Sequence, residues 1–136
     1  MSYLIDTSVI SELARAQPDP RVMEWFQTVP DASLYLSTLT LGDLRKKVEK
    51  LTDETRREKL RLWLENDLPA WFGDHLLSVD AAVADRWGRL LAESLHPIPT
   101  PTIDSLLAAT ALHHDLRLVM CNGKELEVQG LGVVNL

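Results

Sequence analysis

The sequence predicts an α/β fold, a three-layer α/β/α sandwich with a central parallel sheet and an additional helical hairpin. Two observations lead to this prediction. Short apolar runs typical of buried strands occur at residues 3–6, 34–37, 76–79, 116–120 and 132–135. Helical patterns separate most of these runs, and strands that alternate with helices pair in parallel through right-handed crossovers.

In the first half of the chain, breakers and apolar spacing define the elements. A short helix over 7–14 is expected to end at the Pro-containing turn 17–20, and a second helix to cover 20–28. From Thr40 onward apolar residues recur at helical spacing, at Leu41, Leu44, Val48 and Leu51. Thr52 is predicted to cap a further helix that ends near Pro69, so that the two helices form the hairpin.

In the second half, Asp80 is predicted to open a helix directly after the strand at 76–79. The segment 97–101 contains three prolines and is predicted to be a stiff loop. A helix over 103–114 follows, and its small residues allow it to lie close against a sheet.

Composition limits the class of protein. A chain of 136 residues with 46% hydrophobic residues is expected to form one globular domain, residues 1–136. The single cysteine, Cys121, excludes an internal disulfide framework and a Cys-based zinc site. No apolar run reaches the roughly 18 residues of a membrane span, and the N-terminus lacks a signal-peptide pattern. A cytoplasmic protein without membrane association is therefore expected.

Positive charge is concentrated in one window. Residues 45–61 contain eight of the fourteen basic residues and four acids, a net charge of +4, whereas the remainder of the chain carries −10. A basic lobe beside an acidic pocket suits a phosphate backbone near metal-binding carboxylates. The alternative is a pair of solvated helix faces with neighbouring opposite charges. The basic residues are Arg45, Lys46, Lys47, Lys50, Arg56, Arg57, Lys59 and Arg61.

Four carboxylates follow predicted strands or strand-to-helix junctions, namely Asp6, Asp43, Asp104 and Glu125. Each has a structural interpretation on its own. Asp6 suits a helix N-cap, Asp43 suits a capping box with Thr40, Asp104 lies in a first helical turn, and Glu125 lies in a polar loop. These interpretations do not explain the shared placement, because such junctions lie at one edge of a parallel sheet.

Clustered carboxylates repel one another unless some are protonated or a cation is bound. Oxygen ligands without a Cys or paired-His pattern select Mg²⁺ or Mn²⁺ over zinc. The sequence therefore predicts a magnesium site, with Mn²⁺ able to substitute, at the carboxyl edge of the sheet.

Four motifs follow one another along the chain: residues 4–10 (Leu-Ile-Asp-Thr-Ser-Val-Ile), the middle motif 37–45, the small-residue helix 101–111 and the last strand 132–135. In these motifs the chain resembles the PIN-domain ribonucleases, particularly the VapC toxins of toxin–antitoxin pairs. The turn at 17–22 resembles the FitB-like branch. The order and spacing of these motifs make the resemblance specific over essentially the whole chain.

The resemblance implies an Mg²⁺-dependent endoribonuclease toxin acting on tRNA-like or other structured RNA. Asp6 and Asp104 match the expected metal ligands, whereas Asp43 stands where the family usually has Glu, and Glu125 where it usually has Asp. All four acids are expected to be catalytic and metal-binding. Met120 and Cys121 replace the usual Thr and Arg. The residues expected to bind substrate or tune the site are Thr7, Ser8, Asn122, Arg45, Lys46 and Lys50.

The resemblance also implies an antitoxin partner, and either a homodimer or a toxin–antitoxin hetero-oligomer. Two alternatives remain open. A catalytically degenerate PIN fold would bind RNA or protein without cleaving. A receiver-like phosphoacceptor domain also gathers acids at strand ends, and Lys124 would suit it, but the middle strand ends in Leu36-Ser37 without an aspartate.

Overall fold

A computed structural model describes residues 1–93, 102–124 and 126–136. The predicted loop at 97–101 and the candidate ligand Glu125 lie outside the described residues. All of the strands and helices below belong to the described part of the chain.

The sheet has five parallel strands, β1 (Tyr3–Ile5), β2 (Leu34–Ser37), β3 (Leu76–Leu77), β4 (Arg117–Met120) and β5 (Val133–Asn135). Their order across the sheet is β3-β2-β1-β4-β5. The chain therefore builds outward from β1 in one direction, through β2 and β3, and then crosses to the other side with β4 and β5. The predicted parallel sheet is confirmed, and β1 at its centre brings the first acid to the middle of the carboxyl edge.

The described helices are α1 (Thr7–Ile10), α2 (Pro20–Thr28), α3 (Thr38–Glu49), α4 (Glu54–Leu62), α5 (Leu68–Phe72), α6 (Ala81–Glu93) and α7 (Thr102–His113). A 3₁₀ turn at Ser11–Ala14 continues α1, and the two together match the predicted short helix over 7–14. Asp80 accepts a hydrogen bond from the Val83 amide at 2.9 Å, and so caps α6 as predicted. No helix in these ranges is long and apolar enough to cross a bilayer.

Side chains on alternate positions of the central strands enter two separate cores. Ile5 and Val119 pack with the layer that includes α1 and the hairpin helices. Leu4 and Leu118 pack on the opposite face with Leu107 of α7. Because both faces of the sheet are covered, the strands read as continuous apolar runs, and the three-layer sandwich is confirmed.

The hairpin differs from the prediction at three points. Helix α3 begins at Thr38, because the Ser37 hydroxyl accepts from the Leu39 amide at 3.1 Å and caps it, so the capping box between Thr40 and Asp43 does not exist. The next helix is capped by Asp53 and not by Thr52. A helix also continues through Pro69, because a π-helical turn at Trp63–Asp67 precedes it and Pro69 falls in the first turn of α5, where no amide donor is required.

Candidate metal centre

Asp6 lies at the end of the central strand and is fully buried. Its amide donates to the Val119 carbonyl at 2.9 Å, which extends the pairing of β1 with β4. Its Oδ2 accepts from the Ser8 amide at 3.0 Å and caps α1. Capping uses only part of the carboxylate, so the structural and the functional interpretation of Asp6 are compatible.

A lysine joins Asp6 to Asp104. The Nζ of Lys124 lies 3.2 Å from Oδ1 and 3.1 Å from Oδ2 of Asp6, and 2.7 Å from Oδ1 of Asp104. Burial lowers the pKa of Lys124, but the hydrogen bond to Asp104 and the charge of Asp6 outweigh burial, so the pKa stays above its ordinary value. The site therefore contains a permanent cation at neutral pH. The sequence suggested Lys124 only for a receiver-like domain, so its position between these two acids was not predicted.

Ser8 forms hydrogen bonds that orient the Asp6 carboxylate. Its hydroxyl donates to Oδ2 of Asp6 at 2.5 Å and accepts from the Cys121 amide at 3.2 Å. The Cys121 thiol in turn donates to the Ser8 carbonyl at 3.0 Å. Ser8 is a residue predicted to bind substrate or tune the carboxylates. In the structure its hydroxyl holds the Asp6 carboxylate in place.

Thr7 and Asp43 are connected through α3. Thr7 is buried, and its hydroxyl donates to the Thr40 hydroxyl at 3.3 Å. Asp43 follows Thr40 by one turn of the same helix and pairs with Lys46 at 3.6 Å. Within residues 1–93, 102–124 and 126–136, no three His, Cys, Asp or Glu residues form a group that could hold a metal ion.

Asn122 contacts Glu12, a buried acid that was not among the predicted site residues. Its Nδ2 donates to Glu12 Oε2 at 3.3 Å, and its backbone takes φ 62°, in the left-handed region. Glu12 is only 2% exposed and also accepts from Arg15 and from the Asp19 amide. Burial raises the pKa of Glu12, but these three bonds together hold it below the ordinary value. The sequence signal that could have indicated a buried Glu12 is its position between the apolar residues Ile10 and Leu13.

The predicted basic lobe is partly neutralised from within. Arg45 donates to Glu49 at 3.2 Å and to Glu65 at 2.8 Å, and Arg61 also pairs with Glu49. The guanidinium of Arg61, followed by that of Arg45, lowers the pKa of Glu49 to about 2. Two other arginines donate to main-chain carbonyls, Arg56 to Ala14 and Arg57 to Leu51. These ion pairs agree with the alternative of helix faces on which opposite charges lie next to one another. Lys50, at the end of α3, is exposed.

The donor set fits a hard divalent cation. Two carboxylates from distant parts of the chain already meet around one ammonium group, and Mg²⁺ is commonly held by one or two carboxylates together with water and substrate phosphates. Among the described residues, Asp6 and Asp104 are therefore the candidates that would hold such an ion.

The fold and the paired acids define the class of protein: an α/β sandwich with two carboxylates at the centre of the carboxyl edge of its parallel sheet. Residues 3–129 match the model of the PIN domain, and the chain belongs to the PIN-domain family. It is 33% identical over 133 residues to the plasmid stability protein StbB of Pseudomonas syringae pv. tomato, covering 97% of this chain and 96% of that protein.

Two further relatives are named as a toxin and as a ribonuclease. The chain is 32% identical over 114 residues to toxin FitB of Neisseria gonorrhoeae, covering 83% of this chain and 82% of FitB. It is 31% identical over 134 residues to VapC ribonuclease Y4jK of Sinorhizobium fredii, covering 97% and 95%. The crystal structure of FitAcB from N. gonorrhoeae superposes with a TM-score of 0.84 at 28% identity, covering 98% of this chain and 96% of that chain.

Proposed function

We propose that this protein is the toxin of a toxin–antitoxin pair, an Mg²⁺-dependent endoribonuclease that hydrolyses phosphodiester bonds in tRNA-like or other structured RNA. The observation that carries the proposal is the meeting of Asp6 and Asp104 around one cation at the carboxyl edge of the sheet. The relatives named toxin FitB and VapC ribonuclease support the same activity.

Asp6 and Asp104 would hold Mg²⁺, or Mn²⁺ in its place, and Asp43 and Glu125 would contribute directly or through water. When bound, the ion lowers the pKa of coordinated water and stabilises the negative charge of the phosphate in the transition state. Ser8 keeps the Asp6 carboxylate oriented through its hydroxyl. Asn122 stiffens the loop beside the site through Glu12, and the side chains of Arg45, Lys46 and Lys50 would hold the RNA backbone.

The partner we propose is an antitoxin protein. Similar solved structures are toxin–antitoxin complexes, among them FitAB bound to a DNA fragment, at 25% identity and a TM-score of 0.83. By analogy, this chain would form a toxin–antitoxin hetero-oligomer or a homodimer in which the partner covers the acidic site.

The experiment that tests the activity is cleavage of structured RNA by the purified chain, with Mg²⁺ or Mn²⁺ and with EDTA. We expect cleavage with either ion, none with EDTA, and a loss of at least about 100-fold in Asp6→Asn and Asp104→Asn. Asp74→Asn is a matched control, because Asp74 is exposed in the 3₁₀ turn before β3, at the opposite edge of the parallel sheet from Asp6. Activity that survives both site variants would contradict the assignment and indicate a contaminating nuclease.

A second candidate is a PIN fold that binds RNA or a protein without cleaving. The observation that favours it is the pairing of Asp43 with Lys46, which leaves two described acids, Asp6 and Asp104, around the cation. A folded protein that binds RNA but does not cleave it with any divalent ion would establish this candidate.

A further inference from the structure

We propose that Lys124 is an internal counter-cation for Asp6 and Asp104, and that a divalent ion binds by displacing its ammonium group from these carboxylates. The proposal rests on the metal dependence in the proposed function, and assigns to Lys124 control of metal affinity at that site. Lys124 is thus a positioning residue in the metal-free protein and a competitor of the metal.

The geometry supports a shared position. Three carboxylate oxygens from two residues surround Nζ of Lys124 at 2.7 to 3.2 Å. An ammonium group and a divalent ion that use the same oxygens would be two cations in direct contact, and their repulsion excludes joint occupancy. Binding of one therefore requires release of the other.

Burial explains why a counter-cation is needed. The side chain of Asp6 is 0% exposed and that of Asp104 is 13% exposed, so their charges are poorly solvated. In the described part of the chain, Lys124 is the one side chain that forms an ion pair with either acid. Lys46 of α3 pairs with Asp43 instead. Without Lys124 the metal-free site would hold two adjacent negative charges.

The lysine also has a route out of the site. Its side chain is 32% exposed, whereas the carboxylate of Asp6 is fully buried. The four-carbon stem can rotate into solvent while its amide keeps the hydrogen bond to the Cys121 carbonyl at 3.3 Å. Displacement of the ammonium therefore requires no change in the strands that position the acids.

Calorimetric titration of the full chain with Mn²⁺ and Mg²⁺ tests the competition. Lys124→Met removes the charge and retains the length of the side chain, and we expect it to bind Mn²⁺ about tenfold more tightly or better. Lys124→Arg keeps a cation and is expected to stay near the wild type. Lys59→Met, an exposed substitution on α4 that changes net charge equally, is expected to leave metal affinity unchanged. In EDTA, Lys124→Met should melt at a lower temperature than Lys59→Met, and Mn²⁺ should raise it more.

A measurement on the wild-type protein avoids any dependence on folding of the variants. Reductive methylation followed by mass spectrometry should modify Lys124 more in Mn²⁺ than in EDTA, because displacement exposes its amine. Exposed Lys59 should be modified equally in both conditions.

Two outcomes would overturn the inference and are distinguishable. If Lys124→Met binds Mn²⁺ no more tightly than the wild type, or methylation of Lys124 does not rise with Mn²⁺, the inference fails, while metal-dependent RNA cleavage lost in Asp6→Asn would keep the proposed function. If no variant binds either ion and no RNA is cleaved, the inference and the proposed function fail together.

Discussion

The hydroxyl of Ser8 accepts a hydrogen bond of 3.2 Å from the amide of Cys121, a residue 113 positions later in the chain. The same hydroxyl donates to Asp6, so one side chain joins the end of β4 to the acid at the end of β1. The position of the central acid therefore depends on a contact between the two ends of the sequence.

Ser8→Ala should destabilise the protein by about 1–3 kcal/mol, because the variant leaves the Cys121 amide without its partner and removes a donor from a buried carboxylate. Urea unfolding followed by circular dichroism measures the change. Ser33→Ala is the control, since the Ser33 hydroxyl donates to the Pro30 carbonyl at an exposed site directly before β2. Equal stability of the two variants would contradict the role assigned to Ser8.

Glu12→Gln should lower stability by about 1–3 kcal/mol near neutral pH, because the charged form of Glu12 accepts three hydrogen bonds in a buried place. The folded pKa of Glu12 lies below its ordinary value of 4.5, so the contribution is complete above that pH and is lost as pH falls through the folded pKa.

The free energy of unfolding of wild type and Glu12→Gln should therefore converge in acid. Urea titrations at about pH 7 and about pH 3 measure this convergence. Glu24→Gln, an exposed substitution on α2, should show no such convergence. A difference between wild type and Glu12→Gln that is independent of pH would exclude an ionised Glu12 as its source.

Ala108→Leu should destabilise the protein by about 1–3 kcal/mol or more, because α7 lies against the sheet and Ala108 is 0% exposed. Thermal unfolding of Ala108→Leu beside Ala82→Leu, which lies on the exposed side of α6, measures the effect. A comparable loss in both variants would indicate that helix α7 is not closely packed at this position.

Lys50→Gln should weaken RNA binding more than Arg45→Gln, because Glu49 and Glu65 already neutralise Arg45 while Lys50 is exposed. Fluorescence polarisation with a labelled structured RNA in EDTA, at several salt concentrations, gives the affinity and its salt slope. We expect Lys50→Gln to reduce the slope by about one, as for the loss of one phosphate contact. A larger loss in Arg45→Gln would show that its ion pairs break on binding.

The sequence alone determined the succession of strands and helices along the chain and the class of fold. Apolar runs at 3–6, 34–37 and 116–120 are local signals, and their alternation with helices restricts the sheet to parallel pairing. The placement of Asp6 at the end of a strand could also be predicted, because Asp6 directly follows the apolar run that forms β1. Local rules misassigned Asp43, since Ser37 offered an earlier cap.

Only the tertiary structure decided which charged groups meet. Lys124 and Asp6 lie 118 residues apart, and no periodicity or capping rule links them. Their contact exists because β1 pairs with β4, which brings the loop after β4 over the end of the central strand. The same holds for Asn122 with Glu12 and for Arg45 with Glu65. Local sequence sets the conformation of each segment, whereas charge neutralisation in a buried site depends on distances that only the packed sheet defines.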